Sequence, residues 1–197
     1  MGVLKAFKAA VQSVIMIEEA IDAGRRLAEQ HLVDGSSGNL SYRNGIRITI
    51  TKTGVMLDRL RPDDFIEVEM GKSDSRASSD LKVHQKIYEK TGFRAVIHCH
   101  GSYSVALSLI EDEIVPVDLE GTVFLKKIRF IEGRFGSDEI AEKISDEIKS
   151  SGFAVVRGHG IYTAGKDFDE ALKMAGFVEH SCKVYYLTKL FSLLDMR

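Results

Sequence analysis

The sequence of 197 residues has few cysteines, little net charge and no long apolar run. Its two cysteines, Cys99 and Cys182, are too few for the disulfide framework of a small secreted protein, so we expect a reducing, cytoplasmic location. A net charge of −2 gives no electrostatic reason to bind nucleic acid or an anionic membrane surface. No apolar run is long enough to span a bilayer. Any binding of phosphate must therefore be a local property of one site.

The chain shows no linker, internal repeat or low-complexity stretch, which predicts one domain over residues 1–197. Leu40–Arg43 and Arg47–Thr51 predict a pair of strands, joined by a hairpin turn at Asn44-Gly45. Residues 3–32 predict a helix, and the remaining pattern alternates short strands with helices. We therefore expect a hairpin-rich sheet flanked by helices rather than a regular alternation of parallel strands and helices.

Both long terminal helices are predicted from apolar residues at helical spacing. In the first helix, Val11, Val14 and Ile15 are expected to face the core. The last helix follows Asp167, and its apolar stripe is expected to run as far as Tyr186.

Three histidines are the most informative residues of the chain. His98 and His100 stand in a run that predicts a strand, so their side chains share one face and Cys99 points to the other. His159 stands in a turn with a glycine on each side, which lets the backbone come close to a bound ion. Two imidazoles on one strand face and a third from a distant turn form the ligand set of a catalytic zinc site with an open position. We predict one zinc ion per chain, with another divalent metal as the alternative.

Three turns rich in small residues precede these histidines. They offer hydroxyl and backbone N–H groups, which bind a phosphate without requiring a basic patch. Each turn alone is also explained by ordinary turn chemistry. Together with the histidines they predict a site for a phosphorylated substrate. The turns are Ser36–Asn39, Thr51–Gly54 and Ser78–Asp80.

Asp80 is predicted to be the acidic residue of this site. It follows Ser78 and Ser79, either of which could cap a helix that runs to about Thr91, and a carboxylate there is stabilised by the helix dipole. His84 lies one helical turn further on, within reach of the Asp80 side chain. Asp80 is therefore a candidate fourth metal ligand, a candidate general base, or each in turn. The alternative is a helix-capping aspartate.

These motifs together resemble the class II aldolase/adducin-head family. The matching pieces occur in the family's order and cover nearly the whole chain. They are Ser37–Ser41, Thr53–Val55, Ser78–Asp80 with His84, His98–His100, Gly158–Gly160 with Gly165, and Glu170–Leu172. The resemblance implies a three-layer α/β/α domain around a mostly antiparallel sheet. It also implies a homotetramer with active sites at the subunit interfaces.

The resemblance also implies the roles of individual residues. His98, His100 and His159 are expected to bind zinc, and Asp80 to serve as base and metal ligand. Six residues are expected to hold the substrate phosphate, namely Gly38, Asn39, Thr53, Gly54, Ser78 and Ser79.

The general acid is not assigned by the motifs. Aldolases of this family use tyrosines of a neighbouring subunit, but residues 115–121 of this chain contain none. Glu120 is expected to take that catalytic role, with Asp118 and Tyr162 as alternatives.

The function implied by the resemblance is a lyase, a zinc-dependent aldolase that cleaves a ketose 1-phosphate like L-fuculose 1-phosphate. The products are dihydroxyacetone phosphate and an aldehyde, formed through an enediolate. A pentulose-phosphate 4-epimerase of the L-ribulose 5-phosphate type is the alternative, because such epimerases carry Asp at the position of Asp80 whereas the aldolases usually carry Glu. A methylthioribulose-1-phosphate dehydratase comes third. A non-catalytic module like the adducin head is a remote alternative, because that head lacks the histidine set.

Overall fold

An eight-stranded mixed sheet forms the centre of the fold, with helices on both faces. The computed structural model describes residues 2–194, and the side chains of residues 11–194. The strands are β1 (Asn39–Asn44), β2 (Arg47–Thr51), β3 (Phe65–Glu69), β4 (Ala95–Cys99), β5 (Glu113–Ile114), β6 (Ile128–Ile131), β7 (Phe153–Val156) and β8 (Gly160–Gly165). They lie in the order β3-β2-β1-β4-β8-β7-β6-β5. Only β6 and β7 run parallel among the described pairs, and the other six pairs are antiparallel.

Helices cover the two faces of the sheet, which confirms the predicted three-layer domain. They are α1 (Gly2–Glu29), α2 (Leu81–Lys90), α3 (Ser102–Ser108), α4 (Asp138–Ser151) and α5 (Phe168–Leu194). Side chains of α1, α3 and α5 share one apolar core, and those of α2 and α4 share the other. None of the helices in the described part combines the length and apolarity that a membrane crossing needs.

The two faces of β4 bury their side chains in different cores. Ile97 and Cys99 lie in the core of α1 and α5, whereas Val96 lies in the core of α2 and α4. Because side chains alternate along a strand, His98 shares the face of Val96. The prediction that Cys99 points away from His98 is confirmed.

The predicted buried face of α1 is wrong for three of its residues. Val11, Val14 and Ile15 are exposed by 43%, 57% and 42%, and the helix buries another set of residues against the sheet. The residues that it buries are Met16, Ala20, Ala23 and Leu27. Small alanines let the helix approach the sheet closely, and helical periodicity alone does not say which apolar stripe a neighbour covers.

Two other local predictions differ in detail from the structure. The hairpin between β1 and β2 turns through Gly45 and Ile46, because Asn44 still pairs with Arg47 as the last residue of its strand. The buried stripe of α5 ends before Tyr186, which is 39% exposed.

Candidate active site

The side chains of His98, His100 and His159 meet at the carboxyl end of β4. Their ligand nitrogens all lie within 4.8 Å of one another, and Nε2 of His98 lies 2.9 Å from Nε2 of His100. His98 belongs to β4, His100 follows the last residue of that strand, and His159 lies in the turn between β7 and β8. The fold therefore brings the three predicted ligands together from two distant segments.

Antiparallel pairing of β4 with β8 places the histidine turn beside the strand. Cys99 lies opposite Ile161, whose carbonyl oxygen lies 3.0 Å from Nδ1 of His98. A carbonyl only accepts, so this bond puts the ring proton on Nδ1 and leaves the Nε2 lone pair for a metal. A Cβ at Gly160 would overlap the carbonyl oxygen of Cys99, so glycine is required there.

All three imidazoles are neutral at neutral pH. Burial lowers the pKa of His98 to about 3, and burial also lowers the pKa values of His100 and His159. Neutral imidazole is the form that binds a metal ion. The identity, spacing and charge state of these donors therefore fit a divalent metal.

Asp80 is a buried carboxylate beside this cluster. Its Oδ2 lies 3.7 Å from Nε2 of His98 and accepts a hydrogen bond of 2.8 Å from Nδ2 of Asn39. Burial opposes the ionisation of Asp80, but the positive charge that His98 carries when it is protonated and the Asn39 amide favour the carboxylate and hold its pKa below the ordinary value. Asp80 is thus an ionised carboxylate beside the histidines, but it is not one of the three residues whose ligand atoms all lie within 4.8 Å of one another.

The predicted serine cap at the start of α2 is wrong. The helix begins at Leu81, so its cap position is Asp80 rather than Ser78 or Ser79, and the Asp80 side chain makes no capping bond. The Asp80 carboxylate bonds Asn39 instead, which argues against the helix-capping alternative.

The His84 side chain does not bond Asp80, contrary to the prediction. Its Nδ1 lies 2.6 Å from Oγ of Ser41, and only its backbone N–H reaches the carbonyl of Asp80. Burial lowers the pKa of His84 to about 4. The spacing of four residues permitted a bond to Asp80, but a partner from β1 occupies the imidazole.

Hydrogen bonds join the three small-residue turns. The backbone N–H of Leu40 donates to Oγ1 of Thr51 at 3.2 Å, and that of Ser78 donates to the Thr51 carbonyl at 3.0 Å. The N–H of Thr53 donates to the carbonyl of Arg76. The turns therefore form one continuous wall leading to Asp80.

The six residues expected to hold phosphate differ in exposure. Thr53, Gly54 and Ser79 are exposed, whereas Ser78 and Asn39 are buried. The sixth, Gly38, is half-buried with a φ of +79°, and a Cβ there would lie 2.7 Å from the carbonyl oxygen of His98.

Tyr162 belongs to the site although the motifs offered it only as an alternative acid. It lies opposite His98 in the sheet, and its ring stacks on that imidazole with centroids 4.0 Å apart. Its hydroxyl lies 3.3 Å from Nε2 of His159. Burial, and then the charge of Asp80, raise the pKa of Tyr162 well above its ordinary value.

A cavity of about 250 Å³ opens between Tyr162, Asp80 and His159. Its remaining walls are mainly apolar side chains of α2, α4, β7 and the loop before α4. These include Val83, Phe135, Ile140, Ile144 and Val156. No sequence motif indicated this cavity, because its walls come from three separate segments of the chain.

Glu120, the expected general acid, lies apart from the histidines. It is exposed and directly precedes a π-helical turn, Gly121–Leu125. Among the described residues it shares neither a hydrogen bond nor the cavity wall with the histidine cluster. The alternative Asp118 accepts hydrogen bonds from the Gly121 N–H and the Ser181 hydroxyl, so it holds this loop against α5.

Two side chains that the motifs did not indicate support the segments carrying His100 and His159. The carboxylate of Glu179 accepts hydrogen bonds from the N–H groups of Tyr103 and Ser104, and so caps α3 just after His100. Oγ of Ser108 accepts a hydrogen bond of 2.8 Å from the N–H of Gly158. Neither contact has a local sequence signal, since each joins residues at least 50 positions apart.

Comparison with known families agrees with this geometry. Residues 18–186 match the Class II Aldolase and Adducin N-terminal domain. The chain belongs to this family. The match spans the three small-residue turns, Asp80 and all three histidines.

Similar proteins extend the class II aldolase identification. An L-fuculose phosphate aldolase of Methanococcus maripaludis strain S2 is 33% identical over 175 residues, covering 87% of this chain and 96% of that protein. A methylthioribulose-1-phosphate dehydratase of Acidiphilium cryptum is 31% identical, covering 77% and 80%. The crystal structure of L-fuculose-1-phosphate aldolase from Thermus thermophilus gives a TM-score of 0.85 at 29% identity, covering 90% of this chain and 95% of that one. The predicted family, fold and enzyme class, an aldolase-type lyase, are confirmed.

Proposed function

We propose that this class II aldolase is zinc-dependent and cleaves a ketose 1-phosphate to dihydroxyacetone phosphate and an aldehyde. One observation carries the proposal. Three neutral imidazoles converge within 4.8 Å beside an ionised, buried carboxylate, Asp80. The similarity to L-fuculose phosphate aldolases supports a substrate of the L-fuculose 1-phosphate type.

His98, His100 and His159 would hold the zinc ion, with Asp80 as the candidate fourth ligand. Zinc, when bound, polarises the carbonyl of a chelating hydroxyketone and stabilises negative charge beside it. Three uncharged ligands leave the charge of the ion largely undiminished, which suits this role.

Asp80 is proposed to move the proton at the reacting carbon. In bond formation its carboxylate takes a proton from the carbon next to the ketone. In cleavage the same carboxyl group returns a proton to that carbon once the carbon–carbon bond has broken. Asn39 holds one oxygen of the carboxylate, which leaves the other oxygen free for this transfer. General acid–base help of this kind contributes roughly 10²–10⁴-fold to the rate.

A second group must handle the proton at the aldehyde oxygen. Glu120 is proposed for this role, and its distance from the histidines of its own chain means that it would act on the site of a neighbouring subunit. Tyr162 is the alternative within the chain, since its hydroxyl lies 3.3 Å from His159. Comparing the activities of Glu120→Gln and Tyr162→Phe distinguishes the two candidate acids.

The substrate phosphate is proposed to bind at the three small-residue turns. Ser79 and Thr53 present exposed hydroxyls, and Gly54 leaves its backbone open because no side chain covers it. Gly38, Asn39 and Ser78 line the buried end of the same wall. Hydroxyl and N–H donors bind a phosphate without a basic patch.

A homotetramer with shared sites is proposed for the assembly. The segment around Glu120 exposes five large apolar side chains, each by 55% or more, which is typical of a surface that another subunit covers. They are Val115, Val117, Leu119, Val123 and Phe124. Light scattering should then give roughly four times the chain mass of 21.9 kDa.

A cytoplasmic location is proposed for the enzyme. Both cysteines are free and buried in the structure, as expected for a protein of a reducing compartment.

A product assay on the zinc-loaded enzyme tests the proposed reaction. The panel is L-fuculose 1-phosphate, L-ribulose 5-phosphate and methylthioribulose 1-phosphate. An aldolase releases dihydroxyacetone phosphate, which a coupled reductase measures. A 4-epimerase, the alternative that an aspartate at position 80 favours, returns a pentulose phosphate inverted at carbon 4. A dehydratase, suggested by the Acidiphilium relative, removes water without releasing a triose. Turnover without released triose would contradict the aldolase proposal.

A further inference from the structure

Strand β1 is joined to helix α2 by two pairs of buried side chains. In the outer pair, Nδ2 of Asn39 lies 2.8 Å from Oδ2 of Asp80. In the inner pair, Oγ of Ser41 lies 2.6 Å from Nδ1 of His84. The partners are two residues apart on the strand and four apart on the helix, so both pairs lie on facing surfaces of the two elements. All four residues are at most 5% exposed.

The inner pair continues to Tyr88, which determines the direction of its hydrogen bonds. The Tyr88 hydroxyl donates to the carbonyl oxygen of Ser41 at 2.9 Å and lies 2.8 Å from Oγ of Ser41. The one proton of the Tyr88 hydroxyl is thus engaged, so Oγ of Ser41 donates to the phenol oxygen. The Ser41 hydroxyl in turn accepts from Nδ1–H of His84. The chain from His84 to the carbonyl is therefore complete, and every donor in it has an acceptor.

Nε2 of His84 is left as a lone pair that is buried and has no partner among the described residues. The imidazole is fully buried, so packing also confines it, and the Ser41 contact is the one hydrogen bond that its ring makes among the described residues. That bond therefore sets the orientation of the ring where this turn of α2 packs against β1.

Asp80 depends on that turn for its position. It is the residue just before α2 and makes no capping bond. Its carboxylate accepts a hydrogen bond from the Asn39 amide, and its carbonyl accepts the backbone N–H of His84. A shift of His84 therefore moves Asp80 relative to His98, which lies 3.7 Å from it.

We infer that Ser41 and His84 are positioning residues that hold Asp80 in its reactive place against the metal site. This inference rests on the proposed function of Asp80 as the base. Ser41 and His84 do not touch the substrate, and their effect passes through the placement of α2. Removing a partner leaves a buried polar group unsatisfied, which the helix relieves by moving.

Four variants of the zinc-loaded enzyme test the inference. His84→Asn keeps a polar atom at the place of Nδ1 and preserves the bond to Ser41, whereas His84→Gln puts its amide at the place of Nε2. Ser41→Ala removes the partner itself. The matched control is Ser145→Ala, which deletes a buried hydroxyl bonded only within α4.

A misplaced base lowers kcat and leaves substrate binding intact. We expect Ser41→Ala and His84→Gln to lower kcat roughly 10–100-fold with KM and zinc content unchanged, as displacements of about 1 Å do. His84→Asn and Ser145→Ala should stay close to wild type. The inference would be overturned if kcat fell equally in His84→Asn and His84→Gln, or if the decreases in kcat followed only the decreases in melting temperature.

Crystal structures of the same variants provide a readout that needs no substrate. The contact of 2.8 Å between Asn39 and Asp80 should persist in His84→Asn and lengthen in Ser41→Ala. If the wild-type enzyme releases no triose from any ketose phosphate, the proposed function fails by itself. If Asp80 keeps its wild-type position in the crystal structure of Ser41→Ala, the positioning role is refuted, whichever substrate the enzyme uses.

Discussion

Gly160→Ala tests how tightly the metal site depends on the contact between β4 and β8. A Cβ at this position would overlap the carbonyl oxygen of Cys99 and would lie 3.0 Å from carbon atoms of both His98 and His100. The obstructing oxygen belongs to a strand in the middle of the sheet, so it cannot move aside as a flexible side chain would. β8 must therefore move away from β4 just where the ligands meet.

The substitution is expected to lower both the folding stability and the zinc affinity, and the two effects are measured separately. Overpacking of this kind destabilises a protein by about 1–3 kcal/mol. Moving β8 also disturbs the bond between His98 and the carbonyl of Ile161, and losing such a bond to a ligating histidine lowers metal affinity roughly 10–100-fold. We therefore expect Gly160→Ala to bind zinc more weakly than the wild type, by roughly tenfold or more.

The assay is zinc competition against a chelator, with urea unfolding of the metal-free protein in parallel. Gly45→Ala is the matched control, because Gly45 has a φ of +62° and no atom within 4 Å of its added Cβ. Alanine in that conformation costs about 1–2 kcal/mol through backbone strain alone, far from the site. If Gly160→Ala loses stability and keeps wild-type zinc affinity, the idea that strand spacing sets the ligand geometry is refuted.

Five other substitutions have expected outcomes. His100→Ala should lose zinc and activity. Cys99→Ala should keep zinc and lose only about 1 kcal/mol of stability, because the Cys99 sulfur faces the core of α1 and α5. Loss of zinc in the cysteine variant would contradict this arrangement. Asp80→Asn should lower kcat roughly 10²–10⁴-fold in the product assay with zinc retained, and wild-type turnover would rule out Asp80 as the base. Ser79→Ala should raise KM for the phosphorylated ketose and leave zinc in place. If the wild type were equally active on the unphosphorylated sugar, the proposed phosphate site would be contradicted. Burial lowers the pKa of His84 to about 4 from 6.5, so the unfolded chain binds more protons between those values. The stability that neutral His84 contributes is complete above about pH 6.5 and is lost as the pH falls toward 4. Urea unfolding of metal-free His84→Asn should show a weaker pH dependence over that range, and an unchanged slope would contradict it.

The metal ligands could be predicted because their signals are local. Alternation along a strand places His98 and His100 on one face and Cys99 on the other, whatever the rest of the chain does. The glycines beside His159 likewise mark a tight turn from composition alone. The pairing of β4 with β8, which brings that turn to the strand, joins residues 62 to 70 positions apart and has no local signal.

The failed predictions share one physical cause, competition among partners that local spacing permits. His84 stands at the right spacing to reach Asp80, but Ser41 lies closer in the folded chain. Val11, Val14 and Ile15 have helical periodicity, yet the sheet covers the stripe that carries small alanines. In each case the local pattern allowed a contact and the packing of a neighbouring element selected another.

The sequence by itself determined the chemistry available to this protein, namely three imidazoles, one acid and hydroxyl-rich turns in the order of the class II aldolase family. The tertiary structure alone decided which groups touch. The sheet order β1-β4-β8 places Asn39 and Tyr162 on either side of His98, and the packing of α2 against β1 brings Asp80 to Asn39. Such contacts arise from the arrangement of strands and helices in space, and they cannot be predicted from the spacing of residues along the chain.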